Sequence, residues 1–398
     1  MMRPREISVE KLGDVKITVL RSMSEIEPYR HLWSRLCRHR DADLEFFRFI
    51  LSTRPSASAY VLLLSTDSKE ALVVGRKETI SLEHPFGYVQ VPSPRLRMLD
   101  LIHGGLLGEI DLTFARAVVT HLRGLLRRAD VDAIRLHYAD VSSPLFVEFK
   151  NIQRFPLRRQ PVRTVPHRFR DLSAMSGSFG QSISRNERSN QRRREKRLLT
   201  EYSGDVRIEC YSSADSLPRL IEDAEHVASR SYQRGLGVGF ARTDSIPCRL
   251  GLLADLGWLR AWLLYLGGTP IAFWIGTLRE GTFLSDYLAY DSKLSDLAPG
   301  TYLTMKVLEE MQDKPSGVSS VDFGPGDAAY KARFGTIVQT AGTLHLFALT
   351  WRGLCAGSIQ AGANLATSLA RVVVTRFGAL DRIKRRQRQR AVGVPDAD

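Results

Sequence analysis

The sequence predicts an α/β protein in which one succession of strands and helices occurs twice. In each half, a strand and two helices precede three short apolar runs separated by turn residues, the pattern of a β-meander. Each meander is followed by a glycine-containing turn, an amphipathic helix and a further strand. With 398 residues, 43% of them apolar, the chain can bury two ordinary cores and is long for one.

In the first half the pattern predicts a strand at 15–20, helices at 25–38 and 44–52, and a meander of 59–64, 70–76 and 86–91. A strand at 99–102 then runs into His103-Gly104-Gly105 and a long helix over 109–128, followed by a strand at 132–138. The second half predicts a strand at 206–211, helices at 214–234 and 243–256, and strands at 258–266, 270–278 and 282–290, broken at Gly267-Gly268 and Glu280-Gly281. Pro299 or Gly300 opens an amphipathic helix over 301–311, because a proline at the first helical position has its φ preset and no N–H to leave unpaired. The first-turn amides and the positive end of the helix dipole make this turn either a seat for a phosphate or carboxylate, or a plain helix start after a loop. A strand at 318–323, a turn holding Gly324 and Gly326, a short helix at 327–334 and a last strand at 339–349 complete the half.

The motifs AYDSKL, LAPGTYL and DFGPGDAAYK, in that order and on this succession, resemble the GNAT acyltransferase superfamily, in particular its CelD-like and BioF2-like branch, related to the Fem peptidyltransferases. The likeness covers about residues 169–349. It implies two tandem GNAT-like domains, each a mixed, mostly antiparallel sheet flanked by helices, in a Fem-like arrangement. The expected division is a degenerate N-terminal domain over 1–165, an acyltransferase domain over 166–350, and a C-terminal helix with a basic tail over 351–398. In the first copy Glu109 and Asp111 are expected in the first helical turn, where they would repel a pyrophosphate and leave this copy to shape an acceptor groove.

The resemblance further implies acetyl-CoA or another acyl-CoA as donor, lying against Ala298, Pro299, Gly300 and Thr301. One departure stands out. Where the superfamily's pyrophosphate loop reads Q/R-x-x-G-x-G/A, this chain supplies only Gly300, and Tyr302 at the second small position is expected to crowd the phosphates. Acyl transfer to an amine needs a positioned donor, a base for the ammonium proton and an acid for the leaving thiolate. Four residues are candidates for that chemistry. Tyr330 and Lys331 stand where Fem relatives carry an aromatic-lysine pair, so Lys331 either stabilises an oxyanion or grips a phosphate, or else is an exposed helical lysine. Asp322 is either a base or a ligand of loop amides. Asp286 and Tyr290 are expected on one sheet face, and an aspartate in an apolar strand is costly unless paired or solvated, which points Asp286 to the acceptor site.

A net charge of +14 makes the surface attractive to polyanions without choosing among coenzyme A, tRNA, polysaccharide and an anionic leaflet. Seven basic residues against Glu187 and Glu195 fall in 184–199, either a solvated helix between the domains or a phosphate-contacting one; no aromatic residues are interleaved to stack bases. The four cysteines form no C-x-x-C pair, and no metal constellation is visible. Residues 351–377 are helical in period and 382–390 read RIKRRQRQR, a packing helix with a basic end or an element lying on an anionic membrane. No leader and no apolar run of about 18 residues are seen, so a cytosolic protein, at most peripheral to the inner membrane, is expected. The expected acceptor is a sugar-linked or envelope precursor, in exopolysaccharide or cell-envelope synthesis. The alternatives are a Fem-like transferase taking its aminoacyl group from tRNA, and a non-catalytic relative that binds polysaccharide-synthesis proteins.

Overall fold

The run SAYVLLLS at Ser58–Ser65 has no polar side to offer water, and it forms an inner strand buried on both faces. The computed structural model describes residues 8–86, 89–152, 162–173, 185–201, 205–313 and 317–376, which fall into two units. Unit 1 lies within Met1–Pro166 and Gln339–Phe377, and unit 2 within His167–Val338.

Unit 1 contains β1 (Ser8–Leu12), β2 (Val15–Leu20), α1 (Met23–Ile26), α2 (Arg30–Leu36), α3 (Leu44–Thr53), β3 (Ser58–Ser65), β4 (Glu70–Ile80), β5 (Glu83–Phe86), β6 (Val89–Pro92), β7 (Leu96–Leu107), α4 (Leu112–Arg127), β8 (Ala133–Asp140) and α5 (Pro144–Asn151). Its sheet runs β1-β2-β3-β4-β7-β8, antiparallel except for β7 and β8, which are parallel and joined through α4. Phe114, Val118 and Leu122 of α4 pack with Val15, Tyr60 and Leu62 on one side, and Trp33 and Phe47 pack with Val61 and Leu63 on the other.

The chain continues with β9 (Arg163–Asp171), α6 (Arg185–Glu201), β10 (Val206–Tyr211), α7 (Leu217–Ser229), α8 (Tyr232–Gly235), α9 (Ser245–Asp255), β11 (Leu259–Leu266), β12 (Thr269–Arg279), β13 (Thr282–Tyr290), α10 (Pro299–Asp313), β14 (Ser320–Pro325), α11 (Ala329–Phe334), β15 (Ile337–Phe347) and α12 (Trp351–Arg376). The unit 2 sheet runs β9-β14-β13-β12-β11-β10, with β13 and β14 parallel and joined through α10. Leu303, Val307, Leu308 and Met311 of α10 cover Trp262, Leu264 and Trp274. Each unit thus holds a meander and then a parallel strand reached through a helix. One end strand of each sheet comes from elsewhere in the chain: β9 follows α5 but pairs with β14, whereas β15 follows α11 but pairs with β8.

Several expected elements differ. The run expected at 86–91 does not supply the third meander strand; its described residues 86 and 89–91 fall in the separate antiparallel β5–β6 pair, and Leu96–Leu107 takes that place. The glycines 104 and 105 bend β7 within a register shift and do not end it. Gly104 has φ 69, and a Cβ there would lie 2.3 Å from His39 Cβ. Helix α4 begins at Leu112 with Asp111 as its cap, accepting from Phe114 N, so Glu109 lies outside the helix and pairs with Lys69. The helix expected at 214–234 is α7 and α8 in succession. Strands β1 and β9 and helix α5 were not foreseen. The polybasic run 382–390 lies outside the described residues.

Candidate active site

Strands β13 and β14 pair over three residues only, Thr282–Leu284 against Ser320–Asp322. On its other edge β14 pairs with β9 from Ser320 opposite Asp171 to Pro325 opposite His167, while β13 continues beside β12 to Tyr290. The strands part into a fork, and beyond Leu284 the backbone of β13 has no β14 partner. Ser285 lies opposite Gly276 and Tyr287 opposite Ile275, so Asp286 is the extra residue of a bulge. The bulge corrects one expectation, because it breaks the two-residue alternation: Asp286 and Tyr290 do not share a face. Asp286 turns to Arg249 of α9 (3.1 Å) and Thr277 Oγ1 (3.2 Å), whereas Leu288 and Tyr290 pack with the α10 core. Asp286 is therefore an ion-paired carboxylate on the α9 side.

Ser285 Oγ accepts from Trp274 Nε1 at 2.8 Å, on the side of β13 that faces Tyr330. The Tyr330 ring meets Phe323 edge-on, and Phe323 stacks on Trp274. Burial pushes the Tyr330 phenol up to about 12, so it keeps its proton at neutral pH. Next to it, Lys331 is no exposed helical lysine. Its Nζ donates to the carbonyls of Gly324 (3.1 Å) and Pro325 (2.9 Å), and burial draws its pKa down to about 8 while the charge of Asp322 opposes the shift.

Those carbonyls are presented by a turn in which Gly324 has φ 72 and Gly326 φ 121, and a Cβ on either would sit within 3.7 Å of Lys331 Nζ. Asp322 holds the turn from below. Its Oδ1 accepts from Gly324 N at 2.7 Å and lies 2.6 Å from His167 Nε2, both side chains being buried. Helix α11 is fixed from β9, where Arg170 Nη1 donates to Phe334 O at 2.9 Å.

The donor turn adjoins this group. Ala298 sits in the left-handed region with φ 49, and its carbonyl accepts from Thr301 N and Tyr302 N. Pro299 has no N–H, so Gly300 carries the remaining first-turn amide, fewer than the helix start alone suggested. A Cβ on Gly300 would lie 3.0 Å from Tyr290 Cδ1, which explains the glycine. Tyr302 does not crowd the outside of the turn as expected: its ring is buried in the core with Leu303 and Leu308. Arg333 Nη1 reaches Thr301 Oγ1 at 3.2 Å and ties α11 to the first turn of α10. The structure thus joins Ala298, Pro299, Gly300 and Thr301 through Arg333 and Tyr290 to Tyr330, Lys331 and Asp322, and leaves Asp286 aside.

Residues 185–332 match the model of the acetyltransferase (GNAT) domain. This segment is a GNAT domain. Among solved structures, FemX superposes with a TM-score of 0.50 at 11% identity, over 79% of this chain and 95% of that one. A tandem GNAT protein from the clavulanic acid biosynthesis pathway gives 0.45 at 11%, over 83% and 98%. The C-terminal domain of a protein described as a lysylphosphatidylglycerol synthetase, from Agrobacterium fabrum, gives 0.48 at 11%, over 87% and 96%. At 11% identity the likeness to FemX is one of fold alone. No curated protein matches the chain by sequence.

Sequence reasoning about the GNAT domain missed His167, Ser285 and Arg333, each distant in sequence from its partner. It also gave α8 no part in the site, although Gln233 Nε2 donates to Leu288 O at 3.0 Å and Tyr232 meets Tyr290, closing the far end of the fork. The basic helix α6 belongs to the domain rather than to a linker: Leu198 is in the core, and Glu195 pairs with Lys306 of α10 at 3.0 Å. The sequence shows no metal constellation, and in unit 1 folding brings one group of potential ligand atoms together. There His39, Asp41 and His103 bring ligand atoms within 4.8 Å of one another, although Arg40 also bonds Asp41 at 2.8 Å and its charge opposes a cation there. Among the described residues no helix is long and apolar enough to cross a membrane.

Proposed function

We propose that the GNAT domain transfers an acyl group from a coenzyme A thioester, bound in the fork between β13 and β14, to an amine or hydroxyl acceptor. The observation that carries this reading is the three-residue pairing of β13 with β14, which exposes a strand edge beside Tyr330, Lys331 and the α10 turn. An extended donor with its own amides can pair with such an edge, as added strands do. The Gly300 amide, the α10 dipole and Arg333 would hold its phosphates. The acceptor nitrogen or oxygen attacks the thioester carbonyl, the C–S bond breaks, and the acceptor proton leaves to solvent or a base. Lys331 as a cation stabilises the oxyanion, and the protonated Tyr330 phenol donates a hydrogen bond to the departing sulfur. Asp322 acts through the turn, placing the two carbonyls that aim Lys331. A sugar-linked or envelope precursor, in exopolysaccharide or cell-envelope synthesis, is the acceptor class proposed.

A second reading, transfer from aminoacyl-tRNA, is favoured by one observation: Arg192 and Arg193 lie exposed on α6, a helix that packs on α10. The test is thiol release from acetyl-CoA and longer acyl-CoAs with amine and hydroxyl acceptors, run beside tRNA binding at low and moderate salt. Turnover with a thioester, and coenzyme A binding of shallow salt dependence, supports the first reading. Tight tRNA binding with a steep salt slope, lost on neutralising Arg192 and Arg193, replaces it with the second. No turnover with either donor would leave a non-catalytic binder of polysaccharide-synthesis proteins.

A further inference from the structure

Unit 1 contains a polar cavity of 570 Å³ between β1, β3, β4 and the C-terminal end of α4, lined by Glu10, Arg21, Tyr60, Lys77, His121 and Arg128 among others. Its floor is a hydrogen-bonded relay in which the Tyr60 hydroxyl lies 2.9 Å from His121 Nε2, and His121 Nδ1 lies 2.7 Å from Glu10 Oε2. Tyr60 is 1% exposed and His121 6%. At the rim Arg128 is already paired, its Nε 3.0 Å from Asp130. Two cations remain. The Arg21 guanidinium carbon stands 5.9 Å, and the Lys77 ammonium 4.6 Å, from the centroid of the Tyr60 ring, and among the described residues neither meets a carboxylate.

Two positive groups held at one ring repel each other. A partly buried lysine also loses hydration that nothing in the protein replaces. The pKa of Lys77 is accordingly lowered, by burial first and further by Arg21, Arg97 and Arg128, against the pull of Asp130. The ring compensates only in part, since a cation at an aromatic ring gains less than one with a charged hydrogen-bond partner. An anion between the two cations would remove the repulsion and complete their hydrogen bonding. A carboxylate carries one charge; a phosphate dianion matches both, with oxygens for the Arg21 fork and the Lys77 ammonium. The volume falls within the range of small-molecule sites and is far more than a bare phosphate needs, so the ligand has an organic part. The lining around the relay is polar, which suits hydroxyl groups more than an apolar chain.

We propose that this cavity is a binding site for a small polyhydroxylated phosphomonoester, its dianion held by Arg21 and Lys77 and its hydroxyls by Tyr60, His121 and Glu10. The site lies wholly within unit 1 and is independent of the chemistry assigned to the fork. Calorimetry on the full chain with glucose 6-phosphate, inorganic phosphate, sulfate and glucose tests it. Glucose 6-phosphate should bind tighter than phosphate, phosphate tighter than sulfate, and glucose should give no heat. Lys77→Met and Arg21→Met should each weaken glucose 6-phosphate by about tenfold or more, Lys77→Arg should stay within about threefold, and thermal melts show whether each variant is folded. Absence of heat from glucose 6-phosphate with the wild-type chain would overturn the proposal. So would equal binding of sulfate, or affinity unmoved by both methionine variants; if one of these does not fold, the other and Lys77→Arg decide.

Discussion

Raising the pH asks whether Lys331 works as a cation. Burial draws its pKa from 10.5 to about 8, the charge of Asp322 pulling the other way. At pH 7 about nine in ten of these side chains are charged, and at pH 9 about one in ten. If the charge stabilises an oxyanion, kcat should fall about tenfold per unit above pH 8. Lys331→Arg keeps its charge and should extend the plateau past pH 9, because the carbonyls of Gly324 and Pro325 accept a guanidinium as well as an ammonium. Lys331→Met should lose roughly 10²–10³ in kcat with donor Kd within about threefold, since the lost contact matters mainly at the barrier. The same shift bears on stability. Between about pH 8 and 10.5 the unfolded chain holds a proton on Lys331 that the folded chain has released, so stability rises with pH across that window. The full difference is at most ~3 kcal/mol, and solvent access to the side chain reduces it to about 1–2. The assays are thiol release as a function of pH for the three proteins, and urea unfolding at pH 7 and pH 10 of wild type against Lys331→Met. A rate flat from pH 7 to 10, or wild-type kcat in the methionine variant, would mean that the Lys331 charge does not stabilise the oxyanion.

Asp322→Asn keeps an acceptor for Gly324 N but loses the charge, and should cost about 1–2 kcal/mol in urea unfolding, with Asp322→Ala costing about 3 because it removes the carboxylate that both Gly324 N and His167 Nε2 meet; equal stability of all three proteins would remove Asp322 from the positioning role. Gly300→Asp should weaken coenzyme A binding by about tenfold or more in calorimetry, through a carboxylate at the helix start and a clash with Tyr290; unchanged affinity moves the donor elsewhere. Ala298→Gly should stabilise by about 0.5–1 kcal/mol, since φ 49 is strained for any residue with a Cβ. Gly104→Ala should destabilise by about 2–4 kcal/mol, from both its positive φ and the contact with His39, and a normal denaturation midpoint would contradict the geometry of β7.

The α/β class, the doubled succession of elements and the motifs of the fork follow from the amino-acid sequence alone, because apolar periodicity and turn chemistry are local properties. Thr282–Tyr290 and Val206–Tyr211 were legible to the residue, each bounded by glycine, turn or polar segments. Elements without such boundaries were not. Tertiary pairing made Leu96–Leu107 one bent strand, where the local glycines suggested an end, and put residues 89–91 in a separate two-stranded pair. Which sheet β9 and β15 join is a question of long-range hydrogen bonding on which the order of elements is silent. In the site, Tyr330, Lys331 and the Pro299 turn could be named from their motifs, but their meaning could not. Asp322 meets His167 across 155 residues, Arg333 meets Thr301 across 32, and a single bulge turned Asp286 away from Tyr290. Burial, which draws Lys331 to about 8 and pushes Tyr330 to about 12, is created by packing among segments far apart in the chain, and only the folded structure supplies it.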